Sequence, residues 1–207
     1  MITLQDYRRT VFGIYRFLRN SGTNTEHAYR YFRQQRNDLF SKHQQSPLNE
    51  DQKSTFNGLT YHNYNPAYRI LVTVDTNVAE RKYQIDVGHD GIFTIRQFGK
   101  IKITLPSGSG ELGLFWIEGY GGGIFLPFRD STNNNTTYGG GRYLLDTIKG
   151  ADLGMENNQL ILDFNYAYHP SCYYNPRWTC PLAPPQNTLD FPVNAGEKRT
   201  KSLELTI

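Results

Sequence analysis

Two cysteines and a histidine crowd into HPSCYYNPRWTCPLAPPQN, His169 to Asn187, and these are the residue types most able to do chemistry. His169, Cys172 and Cys180 can each ligate zinc, but a structural zinc takes about four ligands, and H-x2-C-x7-C matches no compact finger or ribbon. The expectation is therefore no metal site and no cofactor. Across seven intervening residues the cysteines can form a disulfide in an oxidising compartment. The opening residues MITLQDYRRT lack the charged-then-apolar pattern of a secretory signal, which points to the cytoplasm and to reduced thiols. There the expectation is two small apolar thiols, buried in a loop that Pro170, Pro176, Pro181, Pro184 and Pro185 stiffen. Cys172 remains a candidate nucleophile served by a distant histidine, although nothing in a neutral, proline-rich loop lowers a thiol pKa.

A second constellation lies in FRDSTNNNTTYGGGRYLLD, Phe128 to Asp146. Its three consecutive glycines can turn backbone N–H groups toward an anion, or make a hairpin with a glycine bulge. Arg142 leads from them into a strand where a P-loop needs a lysine and a helix, so nucleotide binding of that kind is disfavoured. Alternation puts Arg142, Leu144 and Asp146 on one strand face; in QLILDFNY it puts Asp163 and Asn165 opposite Leu160, Leu162 and Phe164. Where the two polar faces meet, Arg142 lies across from Asp163. That pair is open to two readings: an ion pair closing a barrel, or the floor of a pocket whose arginine holds a carboxylate or phosphate.

The elements that must position these residues are helices first and strands afterwards. Leu4, Tyr7, Val11, Ile14, Tyr15 and Leu18 form one helical stripe from Thr3 to about Arg19, and Thr3 with Asp6 resembles a capping box. Arg8, Arg9, Arg16 and Arg19 flank the stripe, with Phe12 among them. A second helix runs from Thr25 to about Lys42, with Ala28, Tyr29, Phe32, Leu39 and Phe40 on its apolar side. Arg36 falls within that side and must snorkel to water or meet an acceptor. A short third helix is expected in SPLNEDQKSTF, capped by Ser46 with Pro47 in its first turn.

From Gly58 the period changes to two. Strands are expected at Ala67–Asp75, Arg81–Val87, Ile92–Phe98, Lys100–Leu105, Leu112–Glu118, Gly123–Arg129, Gln159–Tyr166 and Ser202–Ile207. Strands so spaced, without intervening helices, predict a mainly β (α+β) fold: an antiparallel β-sandwich or partly open β-barrel, with two to three N-terminal helices over an edge or mouth. The expected organisation is a basic helical segment over 1–45 and an antiparallel β domain over 46–207, one compact domain overall.

Composition agrees with a folded chain. At 207 residues it can bury a real core, and although the hydrophobic fraction is only 38%, the 14% of aromatic residues compensates because each ring buries a large area. No apolar run is long enough to span a bilayer as a helix. The net charge of +3 is asymmetric: through residue 45 there are eight Lys and Arg against three Asp and Glu, and beyond it fourteen against sixteen. The sequence carries no G-x-S-x-G elbow, H-E-x-x-H or dinucleotide fingerprint, and its histidines (His27, His43, His62, His89 and His169) are scattered.

Four blocks give the chain a resemblance: RNDLFSKHQQSPL with the following F-x-G-L-x-Y; YNPAYRI; FLPFRDSTNNNTTYGGGRYL; and LDFNYAYHPSCYYNPRWTCPLAPPQNTLDFPVNAGEK. It resembles the uncharacterised bacterial and archaeal family called domain of unknown function 1684, over roughly Tyr31 to Lys198. The resemblance implies no activity. It marks Arg129, Asp130, Thr137, Tyr138, Gly140, Gly141, Arg142, Tyr143, Asp163, Asn165, Tyr168, Cys172, Cys180, Asn187 and Glu197 as motif positions. Where the family usually has Asn this chain has His169, which makes a zinc site on His169 private to this protein.

The leading expectation is a pocket for a small polar or anionic molecule, lined by Arg129, Tyr138, Gly140, Gly141, Arg142, Asp163 and Asn165. A hydrolase using Asp163 or Asp130 as general base, or Cys172 as nucleophile, is the second. The third is an interaction module acting through the N-terminal arginines, with nucleic acid disfavoured as partner and a homo-oligomer left open.

Overall fold

The computed structural model describes residues 1–22, 25–86, 91–200 and 203. Two helices, α1 (Ile2–Asn20) and α2 (Thr25–Lys42), are followed by the short α3 (Glu50–Ser54). The strands are β1 (Arg69–Val72), β2 (Arg81–Asp86), β3 (Ile92–Leu105), β4 (Gly108–Ile117), β5 (Gly123–Phe128), β6 (Arg142–Asp146), β7 (Met155–Glu156) and β8 (Gln159–Asp163). They form two antiparallel sheets, a three-stranded one in the order β1-β8-β7 and a five-stranded one in the order β2-β3-β4-β5-β6. Neither closes into a barrel, and the chain is mixed α+β with strands predominating.

Three clusters of buried side chains explain this arrangement. Val72, Leu160 and Leu162 of the small sheet share a core with Ile101, Leu112, Leu114, Leu126, Phe128 and Leu144 of the large one, as alternation directs. The opposite face of the large sheet buries Ile95, Phe115, Phe125 and Tyr143. The helices bring Ile14, Tyr15, Phe32, Leu39 and Phe40 against Tyr166, Tyr173 and Tyr174, so the 1–45 segment shares its core with the chain that follows. Among the described residues, no helix is long and apolar enough to cross a membrane.

Several local expectations are corrected. The first helix begins at Ile2 with no side-chain cap, so Thr3 and Asp6 form no capping box, and Leu4 is exposed. The third helix is capped by Asn49, whose side chain accepts from Gln52 N while the Gln52 side chain accepts from Asn49 N, rather than by Ser46. Ser46 is instead buried and donates to Phe40 O at 2.6 Å. The two expected strands at Ile92–Phe98 and Lys100–Leu105 are one strand with a bulge between Gln97 and Gly99. A Cβ on Gly99 would stand 2.8 Å from Val74 Cγ1, so glycine lets the segment after β1 cross close by, and Asp75 bridges to Lys100 there. The expected strand at Ser202–Ile207 lies, except for Leu203, outside the described residues, as do Val87 and His89.

Candidate functional site

Arg142 and Asp163 do not pair. Arg142 is fully buried, and its partner is Asp130, with Nη2 2.8 Å from Oδ2. The same nitrogen donates to Val193 O at 3.0 Å, and Nη1 donates to the carbonyls of Ala195 and Glu197. Asp130 Oδ1 in turn accepts from Thr132 N at 2.8 Å. The pairing of Arg142 with Asp163 is thus corrected. The physical reason is that β6 is covered on both faces, all five of its residues being buried, so its alternation does not separate a core face from a ligand face.

The neighbouring motif residues serve the loop between β5 and β6. Gly141 has φ +89°, and a Cβ there would lie 2.4 Å from Phe128 O, which excludes any other residue without backbone movement. Tyr138 N donates to His169 Nε2 at 3.2 Å, and Asn133 Nδ2 donates to Tyr138 O at 2.6 Å. Arg129 is half-buried and clamped through its backbone, with N donating to Asn187 O and O accepting from Leu189 N. Gly140 packs beneath the Tyr138 ring and Leu182.

Asp163 lies elsewhere, at the end of β8, where its register partner on β1 is Arg69. Leu160 and Leu162 point into the core while Ile161 and Asp163 face a groove of about 600 Å³ between the helices and the small sheet. Leu18, Arg19, Thr25, Arg69 and Tyr166 complete its main walls. The expected alternation stops at Asp163, because residues 164–166 form a single 3₁₀ turn. Asp163 caps that turn: Oδ1 accepts from Asn165 N at 3.0 Å and from Asn165 Nδ2 at 2.7 Å. Asn165 is buried and also staples the preceding loop, donating to Asn65 O at 2.8 Å and accepting from Asn65 N at 3.0 Å.

The electrostatics single out Asp163. Burial raises its pKa to about 6, against the opposing hydrogen bonds from Asn165 and the weaker attraction of Arg69. Arg69 faces Glu156 at 3.8 Å, and Arg19 donates to Asp152 O at 2.7 Å. The groove therefore carries a carboxyl whose pKa is raised to about 6 and, elsewhere on its wall, two partly engaged guanidinium groups. Sequence reasoning named Asp163 but missed Arg69 and Arg19 as groove residues. An arginine at the start of the apolar run RILV was the one available signal for Arg69.

Other motif positions are structural joints. Asn187 bridges β4 and β5, with Nδ2 donating to Gly113 O and Pro127 O and Oδ1 accepting from Gly113 N, all at 2.9 Å. Glu197 meets Arg36 at 2.8 Å and accepts from Tyr174 and from His169 N, so Arg36 finds its acceptor rather than snorkelling. His169 is buried, and burial lowers its pKa, with Arg142 and Arg36 adding to the effect. Arg8, Arg9 and Arg16 remain exposed on α1.

The cysteine-bearing segment meets β6, with Tyr143 Oη donating to Pro181 O at 2.6 Å. Both thiols are free and half-buried. The Cys172 pKa is raised, first by the neighbouring Cys180 and then by burial. That of Cys180 is lowered, chiefly by Cys172 against burial.

Two sheets sharing one core, a helical pair closing one side, and a groove built on an under-paired carboxyl define a mixed α+β protein of open-sandwich type. This chain belongs to the family described as protein of unknown function (DUF1684), whose model matches residues 54–198. The match begins later than the expected Tyr31 and leaves both long helices outside it. The solution NMR structure of an uncharacterised protein of Haloarcula marismortui is similar, at 29% identity and TM-score 0.59, covering 87% of this chain and 97% of that one. No curated protein matches.

Proposed function

We propose that the chain binds a small polar molecule in the groove floored by Asp163, with hydroxyl or amino donors directed at that carboxyl and an anionic group directed at Arg69 and Arg19. One observation carries the reading: a buried carboxyl that costs folding energy when ionised is set in the wall of a groove large enough for a metabolite. Of the residues expected from sequence, the proposal keeps Asp163 as a contact and Asn165 as its orienting partner. It leaves out Arg129, Tyr138, Gly140, Gly141 and Arg142.

The test is a thermal-shift screen over a broad metabolite set on wild type, Asp163→Asn and Arg69→Gln. The expected result is a ligand-dependent rise in Tm for wild type that both variants lose. Shifts that are the same for all three proteins would overturn the reading.

A second reading uses the same carboxyl as general base, because a pKa of about 6 suits proton transfer near neutrality. Generic ester, phosphoester and amide substrates separate it from binding alone. Turnover that rises through pH 6 and is lost in Asp163→Asn supports catalysis, whereas binding without turnover supports the first reading.

A further inference from the structure

The first helix buries one side in the core and leaves a basic side without partners. At about 100° per residue, Ile2, Gln5, Arg8, Arg9, Phe12 and Arg16 fall within one arc of roughly 120°, and all six are exposed. No acidic residue falls in that arc; Asp6, off its edge, meets His43 at 3.3 Å. The side chains of Arg8, Arg9 and Arg16 have no ion pair or hydrogen bond among the described residues, whereas Arg19 is held by Asp152.

Two apolar side chains stand among these cations. Ile2 is 85% exposed at the start of the helix, and Phe12 is 51% exposed in its middle, four residues from Arg8 and four from Arg16. The Arg19 guanidinium lies 5.4 Å from the centroid of the Phe12 ring. A Cβ on Gly150 would stand 2.9 Å from Phe12 Cδ2, so that glycine lets the ring sit against the turn at residues 147–149, whose Ile148 is exposed as well.

We infer that this face of α1 is a docking surface for a membrane rich in anionic phospholipid. The apolar stripe of the helix, with Ile14, Tyr15 and Leu18, is taken up by the protein core, so α1 does not enter a bilayer as a free amphipathic helix does. It lies on the surface instead. Arg8, Arg9 and Arg16 meet the lipid phosphates, and Ile2 and Phe12 reach past them to the acyl boundary while the long arginine stems keep the charges at headgroup level. The apolar members decide between polyanions: a nucleic acid offers phosphates but little to an isoleucine, whereas a lipid surface stabilises both kinds of side chain together. None of the six residues lines the groove at Asp163, so the inference is independent of ligand binding there.

The experiment is co-sedimentation of the full chain with vesicles of phosphatidylcholine alone and of equal parts phosphatidylcholine and phosphatidylglycerol. Binding is expected with the anionic vesicles only, and it should weaken as salt rises. Arg8→Gln/Arg16→Gln should lower the affinity by roughly twenty-five-fold, at about fivefold for each arginine. Arg81→Gln/Lys102→Gln removes the same charge from exposed positions on β2 and β3 and should leave the affinity unchanged. Ile2→Ser, at a position too exposed to matter for folding, should lower it severalfold, and so should Phe12→Ser, whose melting temperature is checked alongside. No binding to the anionic vesicles at low salt, equal binding to the uncharged ones, an equal loss in the β2 and β3 control, or full affinity in both serine variants overturns the inference. Tighter binding of wild type to a duplex oligonucleotide than to the anionic vesicles at the same salt overturns it too, and assigns the face to nucleic acid.

Discussion

Glu197 and Asp163 are both buried carboxylates, yet they are opposites. Burial pushes each pKa upward, but at Glu197 the Arg36 guanidinium, His169 and Tyr174 outweigh it and hold the carboxyl below its usual range. Asp163 receives two hydrogen bonds from one residue and only a distant cation, so burial prevails. Where a buried charge is fully answered it joins elements; Glu197 locks α2 to the segment after β8. Where it is under-answered beside open volume, as at Asp163, it is the carboxyl to which we propose a ligand binds.

The two also respond to acid in opposite senses. Glu197 binds protons more weakly folded than unfolded, so the stability it contributes is present above the unfolded pKa near 4.5 and is lost as pH falls through its lower folded value. Asp163 binds protons more tightly when folded, so its cost is absent below about 4 and grows as pH rises from there through about 6.

The largest blow to this contrast is Glu197→Gln, which leaves the Arg36 charge buried without its partner. Chemical denaturation at pH 7 should show a loss of about 3–5 kcal/mol. A loss under about 1 kcal/mol would mean that Arg36 relaxes to water and that the joint is ordinary. Asp163→Asn sharpens the contrast from the other side, since an amide keeps the capping acceptor and cannot ionise. It should stabilise the fold at pH 8 by up to about 3 kcal/mol, at roughly 1.4 kcal/mol per pKa unit, and be neutral at pH 4. A stability change independent of pH would refute the ionisation argument. Asn165→Ala removes one donor from Asp163 and strands Asn65, so a loss of about 1–3 kcal/mol is expected by urea melts, together with a further rise of the Asp163 pKa. The smallest effect is that of Arg69→Gln. Removing its attraction should raise the Asp163 pKa by roughly half a unit in a carboxyl NMR titration, and no movement would place Arg69 outside the field of the groove.

Much of the fold was legible because it rests on local periodicity. The stripe through Tyr15 and Leu18, the 3.6-residue spacing in Thr25–Lys42 and the alternation of KIKITL each fix which side chains seek the core, whatever packs against them. The site was only half legible. Asp163 was visible as a carboxyl on the polar side of an apolar strand, but Arg142 looked identical by the same rule and is sealed inside against Asp130. Alternation reports two faces and says nothing about whether one or both are covered. Nor did it show that the turn after Asp163 would bring Asn165 back onto its carboxyl.

By itself, the sequence determined the two long helices, the antiparallel strands, the family and the two blocks in which polar side chains gather, because these depend on residue types a few positions apart. Only the tertiary structure decided the partners. Arg36 with Glu197 and Arg142 with Val193 are separated by more than fifty residues, and pairings over such distances follow from how sheets and helices stack. The same stacking left Asp163 beside a groove. A strand position that alternation marks only as polar thus becomes, once the helices pack beside the small sheet, part of the wall of a groove.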